Sequence, residues 1–130
     1  MPQLAAVTIN DGKATPVAHT FQPRDIVSGV ATLTEGTGIP IGENQLSFSI
    51  AKTASGRRNV KMKLIIPIVQ DVVVAGISRP TVVRNTTVNV DLSFAEDSST
   101  AERKDARALT ANALNHALLA SAINELQALY

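Results

Sequence analysis

Residues 46–67 read LSFSIAKTASGRRNVKMKLIIP. Leu46, Phe48 and Ile50 alternate with Ser47, Ser49 and Ala51, the period of a strand that buries one face. Thr53-Ala-Ser-Gly56 is a turn signal, because these small residues tolerate the backbone that a reversal needs. Alternation resumes at Arg58, with Val60, Met62, Leu64 and Ile66 on one side and Lys61 and Lys63 on the other. Two such strands joined by a short polar turn make an antiparallel hairpin. One face is apolar; the other carries hydroxyl and ammonium groups.

Working upstream, Leu4 to Asn10 alternates with Ala5, Val7 and Ile9 on one face. Asn10-Asp11-Gly12 predicts a tight turn, and Ala14 to Phe21 pairs back, with Val17, His19 and Phe21 sharing a side. Pro16 removes a ladder donor, so this strand is expected to lie at an edge or to carry an irregularity. Residues 1–21 are therefore read as an N-terminal hairpin. Gln22-Pro23-Arg24-Asp25 separates it from a third strand, Ile26 to Leu33, weakened by Gly29. Glu35 to Asn44 holds three glycines and one proline and is expected to be a loop.

Downstream, Val72 to Ala75 reads as a short strand, and Gly76, Ile77, Ser78, Arg79 and Pro80 as a loop. Thr81 to Phe94 is a long last strand, with Val82, Val88, Val90, Leu92 and Phe94 opposed to Asn85, Thr87, Asn89 and Asp91. The strand region thus spans 26–94. Ser99 and Glu102 form a capping box, and Ala101 to Leu129 lacks Gly and Pro and is rich in Ala and Leu. Residues 99–129 are expected to be helical, with a break near Asn112, Asn115 or His116.

The chain has 130 residues, 45% hydrophobic and 18% charged, one domain's worth of folded composition. Cysteine is absent, which excludes disulfides and thiol chemistry. A net charge of +1 gives no overall pull toward nucleic acid or a membrane, so such binding must come from a local patch. The first residues lack a signal-peptide pattern, and the longest apolar run, Leu64 to Val69, is too short for a span. His19 and His116 stand far apart, with no metal-ligand spacing and no nucleophile or acid–base pair beside them. Gly36-Thr-Gly38-Ile-Pro-Ile-Gly42 lacks the Lys-Ser or Lys-Thr of a phosphate loop. No cofactor, small-molecule substrate or enzymatic activity is expected.

Strands followed by helices make an α+β chain with an antiparallel meander. Two Ala-rich helices are thin cover for such a sheet, so its apolar face calls for a second copy, an obligate homodimer. Leu119, Ile123 and Leu126, at helical spacing, are the expected dimer face. On the polar face, Ser47, Ser49, Lys61, Lys63, Thr87 and Asn89 fall on one surface if their strands are neighbours, with Arg57 and Arg58 at the adjoining turn. Cations, hydroxyls and amides on a sheet suit phosphate contacts and base-edge hydrogen bonds.

This central hairpin, with Val7-Thr-Ile-Asn-Asp-Gly12, Thr15 to Phe21 and the ending Ala122 to Tyr130, resembles the coat proteins of the single-stranded RNA bacteriophages, the leviviruses. The resemblance spans residues 1–130. It implies an N-terminal hairpin, a five-stranded antiparallel sheet and two C-terminal helices, with two chains interlocked around one continuous sheet. It further implies an icosahedral shell in the virion, assembled in the bacterial host cytoplasm, whose inner sheet face packages single-stranded RNA. The Gly76–Pro80 loop would pack around the shell's symmetry axes. Several members also repress translation by recognising an RNA hairpin. The family's stacking aromatic on the last strand is Thr87 here, and the basic residue expected near Ala51 is absent. The alternative reading is a dimeric RNA-binding regulator that does not assemble.

Overall fold

The computed structural model describes residues 2–36 and 40–130. The middle of the glycine-bearing stretch, residues 37–39, lies outside them. The chain divides into two compact units, Met1–Ser93 and Phe94–Tyr130.

The first unit is a six-stranded sheet whose strands follow one another in chain order. They are β1 (Val7–Asn10), β2 (Ala18–Val27), β3 (Val30–Glu35), β4 (Asn44–Lys52), β5 (Arg58–Val74) and β6 (Ile77–Phe94). A 3-10 turn, Pro40–Gly42, lies between β3 and β4. The pairs from β1 through β5 are antiparallel. The central hairpin has the expected register: Leu46 stands opposite Leu64, Phe48 opposite Met62 and Ile50 opposite Val60.

Strand boundaries differ from the sequence reading at several points, and the expected short strand Val72 to Ala75 is the end of β5 rather than a strand of its own. Residues 22–25 do not break the chain. β2 runs on to Val27 and absorbs Pro23 in a bulge between Pro23 and Asp25. The hairpin and the five strands β2–β6 thereby share β2, which makes one sheet of six. The expected third strand is cut at Ser28-Gly29, which turns with φ of 52° and 79°, so Ile26 and Val27 belong to β2. Finally, the expected loop at Gly76 to Pro80 is a two-residue reversal at Ala75 and Gly76, with φ of 52° and 79°. Ile77, Ser78, Arg79 and Pro80 open β6. Positive φ at both central positions gives the twist that paired strands share, so the strands continue to the tip. β5 also passes through Pro67, which lies beyond the last β4 pairing, Gln45 with Ile65, where no β4 acceptor waits for its missing N–H.

Only Phe21, Leu33 and Leu46 are buried hydrophobic residues among the described ones, with Leu4, Met62 and Leu64 partly buried against them. The rest of the apolar face is open: Phe48 is 41% and Ile50 60% exposed.

The second unit carries α1 (Thr100–Asn115) and α2 (Ala117–Glu125). Ser99 caps α1, its hydroxyl accepting the Glu102 N–H at 3.2 Å, as the capping box predicts. The break falls at His116, one of the expected positions. Its backbone is extended, and its Nδ1 accepts the Leu118 N–H at 3.3 Å and so caps α2. The helix expected to reach Leu129 stops at Glu125, because Leu126 takes the left-handed conformation at φ 55° and its N–H closes back on Ala122 and Ile123. Neither helix buries a residue. Among the described residues, no helix is long and apolar enough to cross a membrane.

Candidate nucleic-acid interface

Side chains two apart on a strand share a face, and paired residues on neighbouring strands share it too. The β4–β5 register places Ser47 directly opposite Lys63 and Ser49 opposite Lys61. The β3–β4 register adds Thr32 opposite Ser47 and Val30 opposite Ser49. A shallow recess of about 470 Å³ opens on this surface, lined by Val30, Ser47, Ser49, Lys61, Lys63, Asn89 and Asp91, with parts of Phe48 and Met62. Six of these side chains are polar, and the two lysines are exposed. Five of the residues expected at this surface therefore meet in one place: Ser47, Ser49, Lys61, Lys63 and Asn89.

The others fall differently. Thr87 is on the same face as Asn89, two residues back on β6, but does not line the recess. Arg58 pairs with Lys52 and has the parity of Val60 and Met62, so it projects from the apolar face rather than with the lysines. Arg57 is tied to β6, its Nε donating to Ser93 Oγ at 3.0 Å and its Nη2 to the Ser93 carbonyl at 3.2 Å. Val30 and Asp91 complete the recess. Asp91 was legible as part of the polar face of β6; Val30 was hidden by the misplaced start of its strand.

Chemically, the recess offers two ammonium groups for phosphate, two hydroxyls and an amide for base edges, and one carboxylate. The carboxylate repels phosphate and accepts from an amino or imino group. The aliphatic wall of Val30 gives a base something to rest on.

The expected dimer-face residues are uncovered within the chain: Ile123 is 54% and Leu126 91% exposed, and Leu119 is half-buried.

A second polar cluster was not foreseen. The sequence shows no acid–base constellation around His19 and favours a structural role for it; the structure gives it two carboxylate partners. Its Nε2 meets Asp11 Oδ2 at 2.9 Å, and its Nδ1 meets Glu35 Oε1 at 2.8 Å and Oε2 at 2.9 Å. Asn44 Nδ2 donates to Glu35 Oε1 at 2.9 Å. Asp11 also accepts the backbone N–H of Val17 at 3.0 Å and of Lys13 at 3.2 Å, while the Lys13 ammonium lies 3.6 Å away. The hydrogen bond from His19, with those backbone donors, holds the Asp11 carboxyl well below the usual carboxylate range. Asp11 first, then Glu35, raises the His19 imidazole above its ordinary value of 6.5. Both ring nitrogens of His19 are engaged inside the cluster.

The sequence pattern described as levivirus coat protein matches residues 2–130. The capsid protein of Pseudomonas phage PRR1 is 42% identical over 117 residues, 90% of this chain and 89% of that one. Among solved structures, a virus-like particle of bacteriophage ESE058 superposes with a TM-score of 0.88 at 28% identity, covering 99% of this chain and 100% of that one. A virus-like particle of Beihai levi-like virus 21 gives 0.85 at 27% identity, covering 99% of each.

Proposed function

The chain belongs to the levivirus coat protein family, and from that premise we propose that it is the subunit of an icosahedral RNA-containing shell. Two chains form the building block, residues 1–130 acting as a single coat-protein domain. The dimers close into a particle, and single-stranded RNA lies against the face that carries Lys61 and Lys63. The observation that carries the RNA reading is the paired register of Ser47 with Lys63 and Ser49 with Lys61, beside Asn89 and Asp91. It gathers phosphate-binding cations and base-reading groups on one patch of a chain whose net charge is only +1. Near-neutrality suits a shell, in which many weak patches act together on one genome. The open apolar face at Phe48 and Ile50, and the uncovered Ile123 and Leu126, support the dimer. Repression of translation belongs to the same surface, should one RNA hairpin fit it better than bulk RNA. The protein's work is structural, carried out in the virion and, during assembly, in the host cytoplasm.

Expression of the full chain, followed by electron microscopy and the 260/280 nm absorbance ratio across a sizing column, tests this. Closed particles with a nucleic-acid absorbance are expected. Dimers that bind RNA without assembling would select the regulator reading instead. Discrete hairpins competed against bulk RNA test the repressor role.

A further inference from the structure

The ladder between β2 and β3 ends at the pair Gln22–Thr34. Residues 18–21 of β2 have no β3 partner in that register, yet they carry all of the pairing to β1, from Val7–Phe21 to Asn10–Ala18. The hairpin formed by β1 and the start of β2 therefore extends past the edge of the main ladder. Among the described residues, two things tie it back besides the chain itself: Leu4 and Phe21 against Leu33 and Leu46, and the bonds of His19 to Glu35. Glu35 and Asn44 are the facing end residues of β3 and β4, so the second tie sits where the intervening segment leaves and re-enters the sheet.

The chemistry of this tie depends on one proton. A carboxylate only accepts, and a neutral imidazole donates from a single nitrogen. His19 holds carboxylates on both ring nitrogens, at 2.9 Å and 2.8 Å, so both bonds form together only when the ring is an imidazolium. Remove the proton, and one carboxylate faces a nitrogen lone pair.

We propose that Asp11, His19 and Glu35 form a clasp that holds the N-terminal hairpin to the sheet while His19 is charged and lets it loosen when that charge is lost. The groups facing His19 are Asp11, with Lys13 beside it, from the β1–β2 connection, and Glu35 from β3; Asn44, from β4, is uncharged and supports Glu35. With His19 charged, the two carboxylates are balanced by His19 and Lys13. With it neutral, the cluster is left with excess negative charge. His19 is held above 6.5, so the clasp is complete below that value and is lost as pH rises through the folded value. Asp11 is held below 3.8, so its share is present above 3.8 and fails only as pH falls through the lower folded value. The loosening is thus an alkaline event, and it is a property of the chain whether or not it assembles.

Hydrogen exchange of the full chain, read as protection factors corrected for the intrinsic pH dependence, tests the clasp at about pH 6 and about pH 9. Protection across residues 7–21 should fall roughly tenfold or more between the two, while β4 and β5 keep theirs. His19→Gln should give low hairpin protection at both values, and Glu35→Gln should shrink the pH response. Equal hairpin protection at both values in the native chain would overturn the proposal. So would a pH response of native size in His19→Gln.

Discussion

Lys61 and Lys63 are exposed, opposite Ser49 and Ser47, and neither supports the core. Replacing both with Ala should leave folding intact and lower the RNA carried by purified particles. For single-stranded RNA, each lost phosphate contact flattens the log–log salt dependence of binding by about 0.7, so the double variant's slope should be visibly shallower. Unchanged RNA content and slope would place the RNA elsewhere. Ala75 makes a different case at the same scale. It takes a φ of 52°, which an alanine adopts at a cost of about 1 kcal/mol, whereas Asn-Gly is the favoured pair for such a turn. Ala75→Asn should therefore stabilise the chain by roughly 0.5 to 1 kcal/mol, checked by denaturant melts.

Among the elements, α1 depends on its cap. Ser99→Ala removes the hydroxyl that accepts the Glu102 N–H and should cost about 1 kcal/mol, seen as lost helical signal on melting. On α2, Ile123 is 54% exposed within the chain. If this face meets a second copy, Ile123→Asp puts an unpaired charge into that interface, at roughly several kcal/mol, and both dimer and particle should disappear. Normal assembly of that variant would leave the face to solvent. These elements were largely legible in the sequence because their signals are local. The alternation at 46–52 and 58–66, the Ser99 capping box and the interruption at His116 each depend on residues within a turn or two. What escaped was set by competition between neighbours. Gly29 was read as a weak spot inside a strand, but Ser28-Gly29 is the reversal itself. Gly76-Ile-Ser-Arg-Pro80 looked like a loop because Gly and Pro bracket it, yet the turn closes in two residues and pairing begins at Ile77. The candidate surface was legible wherever parity held, and it failed for Arg58, whose even position puts it with Val60. For His19 the sequence supported a structural role but not its two carboxylate partners. Its partners lie 8 and 16 residues away, one in the hairpin turn and one at the end of β3 beyond the last β2–β3 pair, and no local motif announces either.

For the molecule as a whole, the expected product of expression is a closed particle that absorbs at 260 nm as nucleic acid does. A stable monomer free of RNA would contradict both shell and dimer. That expectation rests on how little the chain keeps from water. Phe21, Leu33 and Leu46 are a small core beside an open face at Phe48 and Ile50 and helices that bury nothing. If, as proposed, such a chain completes its folding on other copies, mass action governs its survival. Its melting temperature should climb as the solution is made more concentrated. On that proposal, newly made chains would be open to proteases early in an infection, when copies are scarce, and would protect one another once abundant. The uncovered sheet face would thereby act as a census, allowing folded coat protein to accumulate only when there are enough copies to build with.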